Sequence, residues 1–211
     1  MQDIEVHANT MRCHIVRHAD KEKGEFYNPR LRHQDEPISQ KGHLDAQKLA
    51  PYFAQRPVST IYVSGYQRTF QTAEYLANKL QLDPFVDERL NEIDNGVIEG
   101  LTDEQIQKDY PDVWQAFQAR SVDFRFPGGE TGAEAQARIR GFLQEKRLQH
   151  AEENILIFSH DGLIRTLVCT IFQLPVYARW NFHIDFCGIT EIVAQSGPFP
   201  WKLIRLNQNV L

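Results

Sequence analysis

"RCHIVRHAD", residues 12–20, is a short apolar run that ends on an Arg-His pair. Cys13 to Val16 have the β-branched and apolar character of a buried strand, but a strand requires neither Arg17 nor His18 at its end. The same arrangement returns twice. "STIYVSGYQR" (59–68) runs an apolar strand into Ser64 and Arg68, and "NILIFSHDG" (154–162) runs one into His160. Each is followed by a stretch of helical period: "SQKGHLDAQKLAPYFAQ" (39–55), "QRTFQTAEYLANKL" (67–80) and "GLIRTLVCTIF" (162–172). Strands alternating with helices predict an α/β domain, three layers α/β/α around a mostly parallel central sheet.

The remaining chain fits that frame. Ser39 is placed to cap the first helix and Pro51 to shorten or kink its last turns. A short strand is expected near Phe85 and Val86. "TDEQIQKDY" (102–110) opens with a Thr102/Gln105 capping box, Pro111 suits the first turn of another short helix, and 132–150 reads as a long helix. Residues 188–195 and 201–206, separated by the turn-forming "SGPFP", predict a closing antiparallel hairpin. No repeat or linker divides the chain, so one domain spanning 1–211 is expected. Residues 88–130 form a small helical cap over the strand ends, and residues 1–10 a loose extension ahead of Met11.

Composition narrows the function. The chain has 211 residues, 42% hydrophobic and 24% charged, which is globular. Its net charge of −5, from 28 acidic and 23 basic residues, and the lack of a basic run argue against nucleic acid. No segment reads as a signal peptide or a membrane span, so a cytoplasmic location is expected. Cys13, Cys169 and Cys187 are odd in number and lie in apolar stretches, which suits buried thiols.

Arg17-His18, Ser64 to Arg68, and His160 all fall at or just beyond the C-terminal ends of strands, where open α/β sheets bind ligands. A lone histidine there is more often structural. Two arginines and two histidines together are hard to attribute to packing. Guanidinium forks match phosphate oxygens, and imidazoles exchange protons near neutral pH, so a phosphate ester is the implied ligand. Neighbouring cations disfavour a protonated ring, which makes His18, beside Arg17, the better nucleophile. An alkoxide leaving group also needs a proton. Glu92, Asp94 and Glu99 in "LNEIDNGVIEGLT" (90–102) are candidate acids among which spacing does not choose. His14 and His18, two turns of the pleat apart on one strand face, could be read as metal ligands, but Cys13 points the other way.

In order and spacing, "VRHAD", "PISQKGHLDAQKLA", "YVSGYQRTFQTAEYL", "LNEIDNGVIEGLT", "PGGETGAEAQARI" and "ILIFSHDGLIRTL" resemble the motifs of the histidine phosphatase superfamily, phosphoglycerate-mutase-like branch. The resemblance runs from about Met11 to the last helix-and-strand unit. It implies that His18 is the phosphorylated histidine, Arg17 and Arg68 phosphate clamps, His160 the second pocket histidine and Glu92 the proton donor. It also places Asn28, Ser64 and the Gly129-Glu130-Thr131 segment at contacts to the phosphate or the rest of the substrate. The implied activity is a phosphomonoesterase that forms a phosphohistidine, with no metal or other cofactor, acting on a small phosphorylated metabolite as a monomer or homodimer.

Two departures stand out. Ala19 and Asp161 occupy positions where many members have glycine, and Asp161 would repel a second anionic group or bind a hydroxyl or a positive group. Residues 100–127 are shorter than the insertion usual in mutases, which favours hydrolysis over phosphoglycerate-mutase-type transfer. A binding module without turnover would not need both His18 and Glu92. The specificity pocket is expected from 20–36, 102–127 and 175–187. Tyr27, Trp114, Phe117, Phe124, Phe126, Trp180 and Phe182 there should mostly form a second small core, with a minority lining the cavity.

Overall fold

The structure is a computed structural model that describes residues 10–196 and 200–211. Among these, β1 (Arg12–Arg17), β4 (Thr60–Val63), β5 (Phe85–Val86), β6 (Asn154–Ser159), β7 (Ile189–Ala194) and β8 (Trp201–Gln208) form one sheet in the order β5-β4-β6-β1-β7-β8. β5, β4, β6 and β1 are parallel; β7 runs antiparallel to β1, and β8 to β7. The closing hairpin is therefore present, although most of its turn lies outside the described residues. So does nearly all of the expected N-terminal extension.

Side-chain alternation sorts the two faces. Cys13, Ile15, Tyr62, Ile155 and Ile157 face one layer, with α5 (Gly132–Gln149) and α6 (Asp161–Phe172) packed over them through Ile139, Phe142, Leu143, Ile164 and Leu167. Val16, Ile61, Val63, Leu156 and Phe158 face the other, covered by α1 (Gln40–Phe53) and α2 (Gln67–Leu80) through Leu49, Phe53, Ala73 and Leu76. Helices on both faces of a mostly parallel sheet leave only its strand ends open to ligand. The α/β/α expectation holds.

α1 begins where expected. Ser39 accepts the Gly42 N–H at 3.0 Å and donates to Asp20 at 2.6 Å. Gly42 is required for this approach, because a Cβ there would meet the Asp20 carbonyl. The segment just after His18 is thus pinned to α1. Pro51 lies inside the last turn and the helix ends at Phe53, two residues before the expected limit. The three cysteines are free and buried.

Over the strand ends lie α3 (Asp103–Asp109) and α4 (Pro111–Ala119), the helical cap, and α3 carries the Thr102/Gln105 capping box. A two-stranded hairpin of β2 (Tyr27–Asn28) and β3 (His33–Gln34) borders the same cavity as α3. Its strands are two residues long, too short for a period to show in sequence.

Candidate active site

The three segments meet because their strands are neighbours. β6 lies between β1 and β4, Arg17 and Ser159 are register partners, and the His18 N–H donates to the Ser159 carbonyl at 2.9 Å. His160 follows β6 directly, while Arg68 sits in the first turn of α2 after β4. The His18 and His160 rings are 5.2 Å apart between centroids, with Phe186 against His18 and Tyr66 against His160. Arg17 lies over Phe186 at 4.0 Å and donates to the Ile184 carbonyl; Arg68 lies over Tyr66 at 4.2 Å. Stacked guanidiniums lose little further freedom when a ligand arrives.

Hydrogen bonds set the state of His18. Its Nδ1 is 2.7 Å from the Ala19 carbonyl, which can only accept, so Nδ1 carries the hydrogen and Nε2 keeps its lone pair. Burial, followed by the Arg68 charge, holds this imidazole well below its usual pKa, and Arg17 adds to the effect. His160 is likewise lowered, by burial and then Arg68. Its Nε2 is 2.8 Å from Ser64 Oγ, whereas Nδ1 is buried without a protein partner. Arg17 Nε and Arg68 Nε are buried and unpartnered too. Such atoms are costly without a partner.

One buried hydroxyl joins nucleophile and clamp. Thr72 Oγ1 accepts the Ala19 N–H at 2.9 Å and donates to the Arg68 carbonyl at 2.6 Å.

Glu92 reaches this floor from the loop after β5. Its Oε1 accepts the N–H groups of Ile93 (2.8 Å) and Leu163 (3.1 Å), and Oε2 accepts that of Gly162 (3.1 Å), at the N-terminus of α6. A Cβ on residue 162 would come within 2.7 Å of Oε1, so glycine makes the approach possible. Three of the four lone-pair directions are engaged. The fourth, on Oε2, is the one that can carry a proton.

A cavity of about 740 Å³ opens above, lined by Arg17, His18, Arg68, Glu92 and Asp161. The other expected contacts lie elsewhere. Asn28 donates to Asp35 across the β2–β3 hairpin (2.9 Å), and Ser64 sits beneath His160. Glu130 pairs with Arg138 (2.6 Å) and Thr131 caps α5, so neither lines the cavity. Each of these side chains is engaged by the fold itself. Glu99 lines the cavity and holds His33, which Asp94 approaches from the other side at 3.2 Å. Of the seven aromatic residues, Phe117, Phe126 and Trp180 line it, and Tyr27 is exposed.

Sequence reasoning missed Glu36, which sits 3.3 Å from Arg68 and 2.5 Å from Lys21. It also missed Thr72, and Arg138, which donates to the carbonyls of Arg89 and Glu92 and so fixes the acid loop. Thr72 and Arg138 lay within quoted motifs, and Glu36 within the stretch 20–36 expected to build the specificity pocket, but nothing in the sequence singled them out. The metal reading fails at His14, which turns into the core against Phe53, 5.3 Å between rings, with burial lowering its pKa to about 4. Among the described residues no group of three or more His, Cys, Asp or Glu could hold a metal ion, and no helix is long and apolar enough to cross a membrane.

Comparison with known proteins places these observations. The family model described as "Histidine phosphatase superfamily (branch 1)" matches residues 13–209. Phosphoserine phosphatase 1 of Hydrogenobacter thermophilus is 30% identical over 181 residues, covering 84% of each chain. A protein of Enterobacter sp. (strain 638) named "Probable phosphoglycerate mutase" is 29% identical, covering 90% of this chain and 87% of its own. In fold, a mycobacterial glucosyl-3-phosphoglycerate phosphatase superposes with a TM-score of 0.81 at 24% identity, over 95% of this chain and all of that one.

Proposed function

We propose, from the premise that this chain belongs to the histidine phosphatase superfamily (branch 1) and is a phosphoric monoester hydrolase, that it works through a phosphohistidine on His18 and acts on a small phosphorylated metabolite. The observation that carries this reading is the grouping of a neutral imidazole, its Nε2 lone pair free, with three buried polar atoms that lack protein partners: Arg17 Nε, Arg68 Nε and His160 Nδ1. A phosphoryl group supplies oxygens for all three.

His18 Nε2 attacks phosphorus in line, and the ester oxygen departs with a proton from Glu92 Oε2. Arg17 and Arg68 take up the charge on the equatorial oxygens during transfer. The Glu92 carboxylate then accepts a proton from water as its oxygen attacks the phosphohistidine. Phosphate leaves, His18 regains its lone pair, and Glu92 is again protonated. The amides of Ile93, Gly162 and Leu163 hold the carboxyl in one place through both halves. Of the relatives, the phosphoserine phosphatase supports a small phosphomonoester as the substrate class.

The test is turnover of p-nitrophenyl phosphate in EDTA with rapid acid-free quench of a ³²P-labelled ester, wild type beside His18→Ala. Turnover with an acid-labile, alkali-stable label on the wild type, both lost in the variant, is the expected result. Label retained by His18→Ala would move the nucleophile elsewhere.

A further inference from the structure

The cavity lining holds charges of both signs. At its floor Arg17 and Arg68 face the ligand, two charges that one phosphate dianion balances. The rest of the lining is mostly acidic where it is charged: Glu25, Glu36, Glu99, Asp103 and Asp161 join Glu92. Among the described lining residues the remaining cation is Lys21, and Glu36 already holds it at 2.5 Å. Arg165, which lines an adjoining cavity with Glu92 and Trp180, is engaged by Asp161 and lies over Trp180 at 5.4 Å.

Asp161 is the distinctive member. It follows His160 directly, and its charge acts on Arg17. One carboxylate oxygen pairs with Arg165, while Oδ1 is buried with no protein partner. A buried carboxylate oxygen without a protein partner is costly, and a donor from a ligand would satisfy it. Ile98, Phe117, Phe126 and Trp180 line the same space, and apolar walls strengthen charge discrimination. A second phosphate or a carboxylate on the alcohol would meet several acids, with Lys21 already paired to Glu36 and Arg165 to Asp161. An ammonium would find Asp161 Oδ1.

We propose that the substrate is a phosphate monoester whose alcohol portion carries a protonated amine, received by Asp161. The proposal rests on the phosphatase reading above and names the substrate class for that site. It also sets a phosphoglycerate, whose alcohol portion carries a carboxylate, apart as a poor ligand.

Three small esters of similar size test it: 2-aminoethyl phosphate, n-propyl phosphate and carboxymethyl phosphate. Wild-type kcat/KM should fall in that order, by roughly tenfold per step. Asp161→Asn should shrink the ratio of amine to carboxylate ester by about tenfold, and 0.5 M salt should shrink it in the wild type. A wild type that prefers the carboxylate ester, or shows no preference, overturns the proposal. So does an unchanged ratio in a folded Asp161→Asn. p-Nitrophenyl phosphate separates the two readings: its turnover without charge discrimination sinks this proposal alone. Should the enzyme turn over no ester, calorimetric affinities of the same three compounds, in the same order or not, decide the question.

Discussion

The floor and the mouth of the cavity are built by opposite means. The floor hangs on the ends of three hydrogen-bonded strands, and His18, Arg68 and His160 are each at most 5% exposed. The mouth is made of the β2–β3 hairpin, the 91–101 loop and two short helices, joined by ion pairs such as His33 with Glu99 and Lys21 with Glu36. Backbone pairing buried in a core holds reacting groups in one geometry, whereas side-chain ion pairs at a partly exposed rim are worth little each. Chemistry and selectivity are thereby separated: the floor can serve any phosphomonoester, and the mouth decides which alcohol enters.

Glu92 belongs to both regions, and its replacement breaks the comparison most sharply. Glu92→Gln keeps an oxygen for the Ile93 and Leu163 amides but sets an NH₂ against the Gly162 N–H, and it cannot transfer a proton. Alkyl phosphate turnover should fall by about 10²-fold, the lower end for a general acid. p-Nitrophenyl phosphate, whose leaving group needs no proton, should slow far less. Equal losses on both esters, measured as kcat/KM, would pass the acid role to Asp94 or Glu99.

Within the floor, Thr72 should matter through position alone. Thr72→Val leaves the buried Ala19 N–H without an acceptor, at a cost of about 1–3 kcal/mol, and frees the turn between His18 and Asp20 from α2. We expect kcat to drop by roughly tenfold while competitive inhibition by inorganic phosphate changes little, with Thr72→Ser restoring the rate. Weakened phosphate affinity with an intact kcat would instead make Thr72 a support for Arg68.

The same contrast explains what the sequence could reveal. Arg17, His18, Arg68 and His160 were legible because strand ends in a parallel sheet must converge, whatever their separation along the chain. Glu92 needed the family resemblance, since Asp94 and Glu99 are equally spaced loop acids until α6 presents its N-terminus. Asn28, Glu130 and Thr131 were placed by the resemblance alone, and the structure gives them partners within the fold. Their positions depend on how a two-residue hairpin and a capping box close, and Asp35, Arg138 and the α5 amides engage them before any substrate can. Glu36 was invisible because its partners, Lys21 and Arg68, are joined to it only by the fold.

The smallest effect tests the mouth. His33 bridges Glu99 and Asp94, tying the β2–β3 hairpin to the acid loop, and its hydrogen bond to Glu99 raises its pKa against the opposing effect of burial. A histidine whose folded pKa is raised contributes stability fully present below its unfolded value near 6.5, and that contribution fades as pH climbs through the folded value. The tie should therefore hold at pH 6 and slacken on the alkaline side. KM for an ester with a bulky alcohol should rise about two- to threefold across that range while KM for p-nitrophenyl phosphate stays level. His33→Gln has no charge to lose, so it should show the raised KM already at pH 6 and no step above it. A step of equal size in the variant would place the titrating group elsewhere in the mouth. A step shared by both substrates would place it in the floor, and the separation of chemistry from selectivity would then fail.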